Sequence, residues 1–285
     1  MNSNTVKIAA DSVCDLPPEL VEALGVHIIP TYVNIGGESI ADDGRQLDRA
    51  RFYSQLPAME IQPTTAAPSP GDAAAFYSKI LAASDCEIIS IHVPEKLSGV
   101  LNAMRLGAEE AGGDRITLVD SFQLSFGIGL QVWAAAELAM DGADRDSILA
   151  AIESVRRNTR LYAIIESMEY LRRSGRVTAL TASLGGILRI KPVIEAVDGG
   201  VESIGRLRTW SRAEQRLRQL TREQTPLDRL AVLHVANREG AERFLSSIQD
   251  IAPSDTLVIE TTPTIGTHIG PGSIGVATLK SNWRQ

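Results

Sequence analysis

Through the first 142 residues, short runs of β-branched and aliphatic residues alternate with longer alanine- and leucine-rich stretches. VKIAA (6–10), HIIPTYVNI (27–35), CEIISIHV (86–93) and RITLVD (115–120) alternate with segments such as AAAFYSKILAAS, NAMRLGAEEAG and GIGLQVWAAAELAMDG. A strand that rejoins its sheet through a helical crossover runs parallel to the strand before it. The alternation therefore predicts a parallel sheet with helices on both faces. Local punctuation agrees: Ser69-Pro70-Gly71-Asp72 supplies a serine N-cap, a proline at the first helical position and an acid at the third. Asp15 stands where it would cap a helix carrying Pro17 and Pro18 in its first turn, and QPTTAAPSP reads as extended chain whose prolines forbid regular pairing.

Beyond a connecting helix at 144–160 the pattern changes. LYAIIES reads as a strand, MEYLRRSGRVTALTASLGG as two helices around an arginine-bearing turn, and IKPVIEAVDGGVESIGRLRT as a hairpin turning at Asp198-Gly199-Gly200. Helix, strand, helix and strand follow, then a glycine-rich segment and a last strand, IGVATL. At 285 residues one core usually splits into two. The expectation is an α/β chain of two domains: 1–158 with a parallel sheet flanked by helices, and 159–285 with a mixed sheet and helices.

Composition removes several function classes. A net charge of −7 repels phosphate backbones and anionic headgroups, so nucleic acid is excluded as a partner. Basic residues do concentrate between 156 and 218, where they read as solvated helix faces or as a local site for an anionic partner. Cys14 and Cys86 form no C-x-x-C pair and suit a reducing cytoplasm as free thiols. The opening MNSNTVKIAADS does not read as a signal peptide, and the uncharged stretch 121–136 is too short to span a bilayer, so the expectation is a cytoplasmic protein without stable membrane insertion.

The segment TIGTHIGPGSIG (264–275) contains G-x-G-x-x-G at Gly270, Gly272 and Gly275. A dinucleotide loop needs a helix after it and an acid about 20 residues on. Here a strand and the chain end follow, so the nucleotide reading fails, and the segment reads as a tight turn displaying Thr267 and His268. Ser98 lies just past the carboxyl end of a parallel strand, where α/β sheets bind ligands, although it also suits a helix cap. Thr64 and Thr65 sit in the proline-rich extended piece, and Arg176 in the turn Ser174-Gly175-Arg176. His27 and His234 read as core residues, His92 stays open between core and site, and no histidine pair has metal-ligand spacing, so no metal is expected.

The segments AADSVCDLPPEL, PTTAAPSPGD, KLSGVLNA, VDSFQLSFGIGL, YLRRSGRVTALTASLGGILRIKPVI, RLRTWSRA and GTHIGPGSIGVA come in an order that resembles the DegV family of bacterial fatty acid-binding proteins. The resemblance spans nearly the whole chain. It implies two α/β domains enclosing one long-chain fatty acid, such as palmitate, oleate or stearate, with no cofactor. It further implies a partner, an ATP-dependent fatty acid kinase similar to dihydroxyacetone kinase, that phosphorylates the carboxylate to acyl phosphate for phospholipid synthesis. By motif, Thr65 and Ser98 would hold the carboxylate with His268 beside it, and Arg176 would face the kinase. The sequence departs from the family pattern at Val13, Ala66 and Val100, where hydroxyl residues are frequent.

Two other readings compete. Ser98 with His268 as base would make an acyl ester hydrolase, but no G-x-S-x-G elbow surrounds Ser98, and the acid nearest His268 in sequence is Glu260. A lipid-sensing regulator would use the same pocket and no chemistry.

Overall fold

The computed structural model describes residues 5–175 and 190–284. The chain opens with β1 (Thr5–Asp11), α1 (Pro18–Ala23), β2 (His27–Ile29), β3 (Tyr32–Ile35), β4 (Glu38–Ala41), α2 (Arg49–Gln55) and β5 (Thr64–Ala66). It continues with α3 (Pro70–Ala83), β6 (Cys86–His92), α4 (Val100–Gly112), β7 (Ile116–Asp120), α5 (Phe126–Met140) and α6 (Arg145–Asn158). Next come β8 (Thr159–Ile164), α7 (Met168–Arg173), the hairpin β9 (Lys191–Val197) and β10 (Gly200–Leu207), and α8 (Trp210–Arg222). Last are β11 (Leu227–His234), α9 (Arg238–Ser246), β12 (Leu257–Glu260), α10 (Pro263–Ile269) and β13 (Ile274–Lys280).

Among the described residues these strands form three sheets. The first, in order β2-β1-β6-β7, is wholly parallel. The second, β10-β9-β8-β13-β11-β12, is mixed: β11 and β12 are parallel and the other pairs antiparallel. β4, β3 and β5 make a small antiparallel sheet.

Helix α5 explains how the two large sheets meet. Ten of its fifteen residues are buried, because it packs on β1 and β6 from one side and on β8, β11 and β13 from the other. A helix apolar all round belongs in such a place. One apolar cluster accordingly runs from Ile8 and Ile89 in the parallel sheet through Ile128 and Leu130 to Leu233 and Ala277 in the mixed sheet. Close packing also fixes Gly107 in α4, where a β-carbon would stand 2.4 Å from that of Ala73 in α3.

The α/β architecture with a parallel and a mixed sheet matches the sequence reading, and Ser69 and Asp72 form the expected capping box. The β9–β10 turn is also as read, with Asp198 and Gly199 both at positive φ, 48° and 72°, as a two-residue hairpin turn requires. Four local expectations are corrected. The run 27–35 breaks at Pro30, and its halves join different sheets. Thr64–Ala66 does pair, because β5 is an edge strand of three residues whose prolines lie outside the ladder with β3. Asp15 does not cap α1; it adopts φ 51° and sends its carboxylate elsewhere. Residues 263–269 form a helix, and only Gly270–Ser273 is a turn. Arg176 lies outside the described residues.

Candidate functional site

β3 places β5 beside it, so that Thr65 pairs with Val33, and α10 brings His268 against it. The Thr65 hydroxyl and His268 Nε2 are 3.0 Å apart. Ser98 arrives from a third direction, in the turn after β6 where the Leu97 and Ser98 amides both donate to the Pro94 carbonyl. Its hydroxyl accepts from the Val100 amide at 3.3 Å, while Gly99 takes the N-cap position of α4. Thr65, Ser98 and His268 all line one cavity of about 210 Å³. The structure thus gathers Thr65, Ser98 and His268, whereas Thr64 does not line the cavity and Thr267 is buried, its hydroxyl donating to the Pro263 carbonyl.

Away from them the cavity wall is mostly apolar. Leu161 and Ala163 of β8, Ile194 of β9, Val201 of β10, Leu233 of β11 and Ile274 of β13 line it. The mixed sheet therefore supplies a hydrocarbon surface, and the loops of the first half together with α10 supply a polar corner.

Sequence reasoning missed further hydroxyls on this cavity, among them Thr31, Ser125 and Thr264. Their protons are committed. Thr264 donates its hydroxyl to Asp42 Oδ2 at 2.7 Å, so its oxygen accepts from Thr31 at 2.8 Å, which in turn accepts from Ser12 at 2.9 Å. Ser125 donates to Asp15 Oδ2. Burial pushes the Asp15 carboxyl up to about 6, opposed first by the Ser125 hydrogen bond and then by the nearby Arg49 cation. Burial likewise raises Asp42, against hydrogen bonds from Thr264. One signal did point here: DSVCD follows β1, and the carboxyl ends of parallel strands are where such sheets build sites.

Of two other buried histidines, His234 also lines the cavity and His92 does not. His234 is buried, its Nδ1 accepts from the Asn237 amide at 3.3 Å, and burial lowers it to about 4, so it is neutral at pH 7. His92 joins a chain that has the outline of a catalytic triad: Asp11 Oδ2 to His92 Nδ1 is 3.0 Å, His92 Nε2 to Ser90 Oγ is 2.7 Å, and Tyr77 donates to Ser90 at 2.9 Å. Asp11, Ser90 and His92 are each 0% exposed, so no substrate reaches them. His27 departs from its core reading and is half-buried. Among the described residues no hydrogen bond joins Ser98 to His268, no group of three His, Cys, Asp or Glu side chains could hold a metal ion, and no helix is long and apolar enough to cross a membrane.

Comparison with known proteins gives a consistent result. A family described as uncharacterised proteins of the DegV family matches residues 5–281. A DegV domain-containing protein of Deinococcus radiodurans is 34% identical over 277 residues, covering 96% of this chain and 98% of the relative. The solved structure of a DegV family protein from Thermus thermophilus, described for its fatty acid binding, superposes with a TM-score of 0.86 at 30% identity, over 96% of this chain and 99% of that one. DegV from Bacillus subtilis, described as a fatty acid binding protein, gives 0.87 at 25% identity over 97% and 100%. With that extent of sequence and of fold in common, the chain belongs to the DegV family.

Proposed function

We propose that this protein is a cytoplasmic carrier that binds one long-chain fatty acid, with the alkyl chain along the wall of the mixed sheet and the carboxylate at Thr65, Ser98 and His268. In this reading residues 1–158 and 159–285 act as two domains enclosing the ligand. The observation that carries it is a largely apolar cavity with a polar corner, where Thr65 and His268 stand 3.0 Å apart and Ser98 lines the same space. The fatty acid binding described for the Thermus thermophilus relative supports the same assignment.

The energetics fit a carrier. Each buried CH₂ contributes about 0.8 kcal/mol, so a sixteen-carbon chain supplies on the order of 10 kcal/mol before ordering costs. The headgroup residues then set orientation. A withdrawn carboxylate needs several donors, and two hydroxyls, an imidazole and nearby amides offer them without a metal. The bound acid is handed to an ATP-dependent kinase that forms acyl phosphate, with Arg176 on the face that meets it.

Denaturing the purified protein, extracting with organic solvent and identifying the extract by mass spectrometry tests the ligand: one acyl species per chain is expected, and its absence from protein grown with fatty acid would refute the assignment. For the partner, Arg176→Ala is expected to slow acyl phosphate formation by a dihydroxyacetone kinase-like enzyme with ATP and Mg²⁺ while sparing lipid binding. Equal loss of both would place Arg176 in the pocket or the fold instead.

A further inference from the structure

α10 is the element that carries His268, and it is held in an unusual way. Helices α2, α3, α6, α7, α8 and α9 are each capped by their own N-cap side chain, from Asp48, Ser69, Asp144, Ser167, Thr209 and Asn237. The N-cap of α10, Thr262, like those of α1, α4 and α5, makes no such bond. Its amide donates instead to Asp15 Oδ1 at 2.7 Å, and the Thr264 amide donates to Asp42 Oδ2 at 2.8 Å, across 247 and 222 residues of chain. Both carboxylates are buried, Asp15 at 4% exposure and Asp42 at 1%.

The segment leading into α10 is tied from the same direction. Arg49 Nη1 donates to the Glu260 carbonyl at 3.0 Å and the Tyr53 hydroxyl to the Thr261 carbonyl at 2.8 Å. Gly266 rests on Tyr53 so closely that a β-carbon would stand 2.2 Å from the ring. A helix of seven residues is not stable alone, and its free N-terminal amides favour negative charge. We infer that Asp15 and Asp42 are positioning residues, two buried carboxylates from separate elements that clamp the first amides of α10 and so fix where His268 meets Thr65, an inference that rests on the lipid-binding reading above.

The clamp also reaches the cavity wall. Asp15 takes the Ser125 hydroxyl, Asp42 takes that of Thr264, and Thr264, Ile265, His268 and Ile269 of α10 all line the cavity. Displacing α10 would therefore move the headgroup contact and part of the hydrocarbon wall together. Arg49 and Tyr53 of α2 face both carboxylates, Cys14 and Asp11 lie near Asp15, Asp43 lies near Asp42, and His268 sits on the clamped helix itself.

The test uses the full chain and the isosteric variants Asp15→Asn and Asp42→Asn, with Ser125→Ala, which removes one of Asp15's partners, as a third probe should either fail to fold. Three quantities are read: the ring signals of ¹⁵N-labelled His268, assigned with His268→Gln; the dissociation constant of a fluorescent fatty acid between pH 5 and 8; and the unfolding temperature. The expected result is shifted His268 signals and binding weakened about threefold to tenfold at pH 8, with no fall in unfolding temperature. The gap between wild type and Asp15→Asn should close towards pH 5, because burial holds Asp15 up at about 6 and the wild-type side chain is then neutral as well. Unchanged His268 signals and affinity would overturn the clamp, as would weaker binding that merely tracks lost stability. Should the wild type take up no fatty acid, the lipid reading fails, while the His268 signals still judge the clamp.

Discussion

Two constellations of the same residue types sit within this chain and do opposite things. Asp11, His92, Ser90 and Tyr77 form a continuous hydrogen-bonded row at the end of the parallel sheet, sealed from solvent and ligand alike. Thr65, Ser98 and His268 come from three separate elements and open onto a cavity. Chemical identity alone would rank the sealed row as the better active site, since it has the acid, base and hydroxyl of a triad. Access reverses that ranking. The sealed row ties β1 to β6, with Asp11 also accepting from the Val13 and Val93 amides, whereas the open corner can offer hydrogen bonds to a guest.

The largest effect that would break this contrast is in the sealed row. Removing one partner of a buried pair leaves the other without compensation, so His92→Ala or Asp11→Ala is expected to cost about 3–5 kcal/mol of stability. The loss should register in a denaturant titration as a lower midpoint with unchanged slope. His268→Ala should cost well under half as much. If the two histidines proved equally costly, burial would not be what separates them.

A second effect of nearly that size concerns pH. Asp15, raised to about 6 in the folded chain against 3.8 unfolded, holds its proton more tightly when folded. Its ionisation therefore costs stability above pH 6, by about 3 kcal/mol, and that cost is relieved as pH falls from about 6 to about 4. His234, lowered to about 4 from 6.5, runs the other way: stability is lost as pH falls through that window. The two nearly cancel in the wild type. Asp15→Asn should remove one arm, so that the variant is more stable than wild type at pH 8 and loses stability more steeply on acidification. Thermal unfolding from pH 4 to 8 measures this, and identical profiles would show that folding does not raise the Asp15 carboxyl.

That pair of carboxylates also marks where the sequence stopped being legible. The parallel sheet could be read because strand and helix periods are local, and so could the Ser69 cap, whose partner is three residues away. TIGTHI could not be read as a helix, since its glycine content argues for a turn and the carboxylates that cap it lie more than 200 residues away. Asp15 was misread for the mirror-image reason: it looks like a cap for the next helix but serves one at the far end of the chain. The small sheet escaped because strands of three and four residues, one of them between prolines, leave no period to detect. Among the residues lining the cavity, Thr65, Ser98 and His268 were named through motif resemblance, while Thr31, Ser125 and Thr264 were visible only once the cavity existed.

The smallest effects lie within the open corner, and they sharpen what each hydroxyl does. Thr65 meets the His268 ring directly, so Thr65→Ala should remove a contact to the headgroup and loosen the imidazole together. Ser98 accepts from the Val100 amide through its oxygen, which leaves its proton available to a carboxylate. Losing one such donor is expected to cost roughly 1 kcal/mol, about fivefold in the dissociation constant of a fatty acid. Thr65→Ala should stand at or above that figure and Ser98→Ala at or below it, because helix α4 can recover part of its cap from solvent. With the alkyl chain supplying most of the affinity, the double variant should still bind the acid but hold its carboxylate less firmly, which a ¹³C-carboxyl signal of the bound ligand would report as broadening. A double variant that bound no fatty acid at all would mean that the polar corner, rather than the hydrocarbon wall, dominates binding.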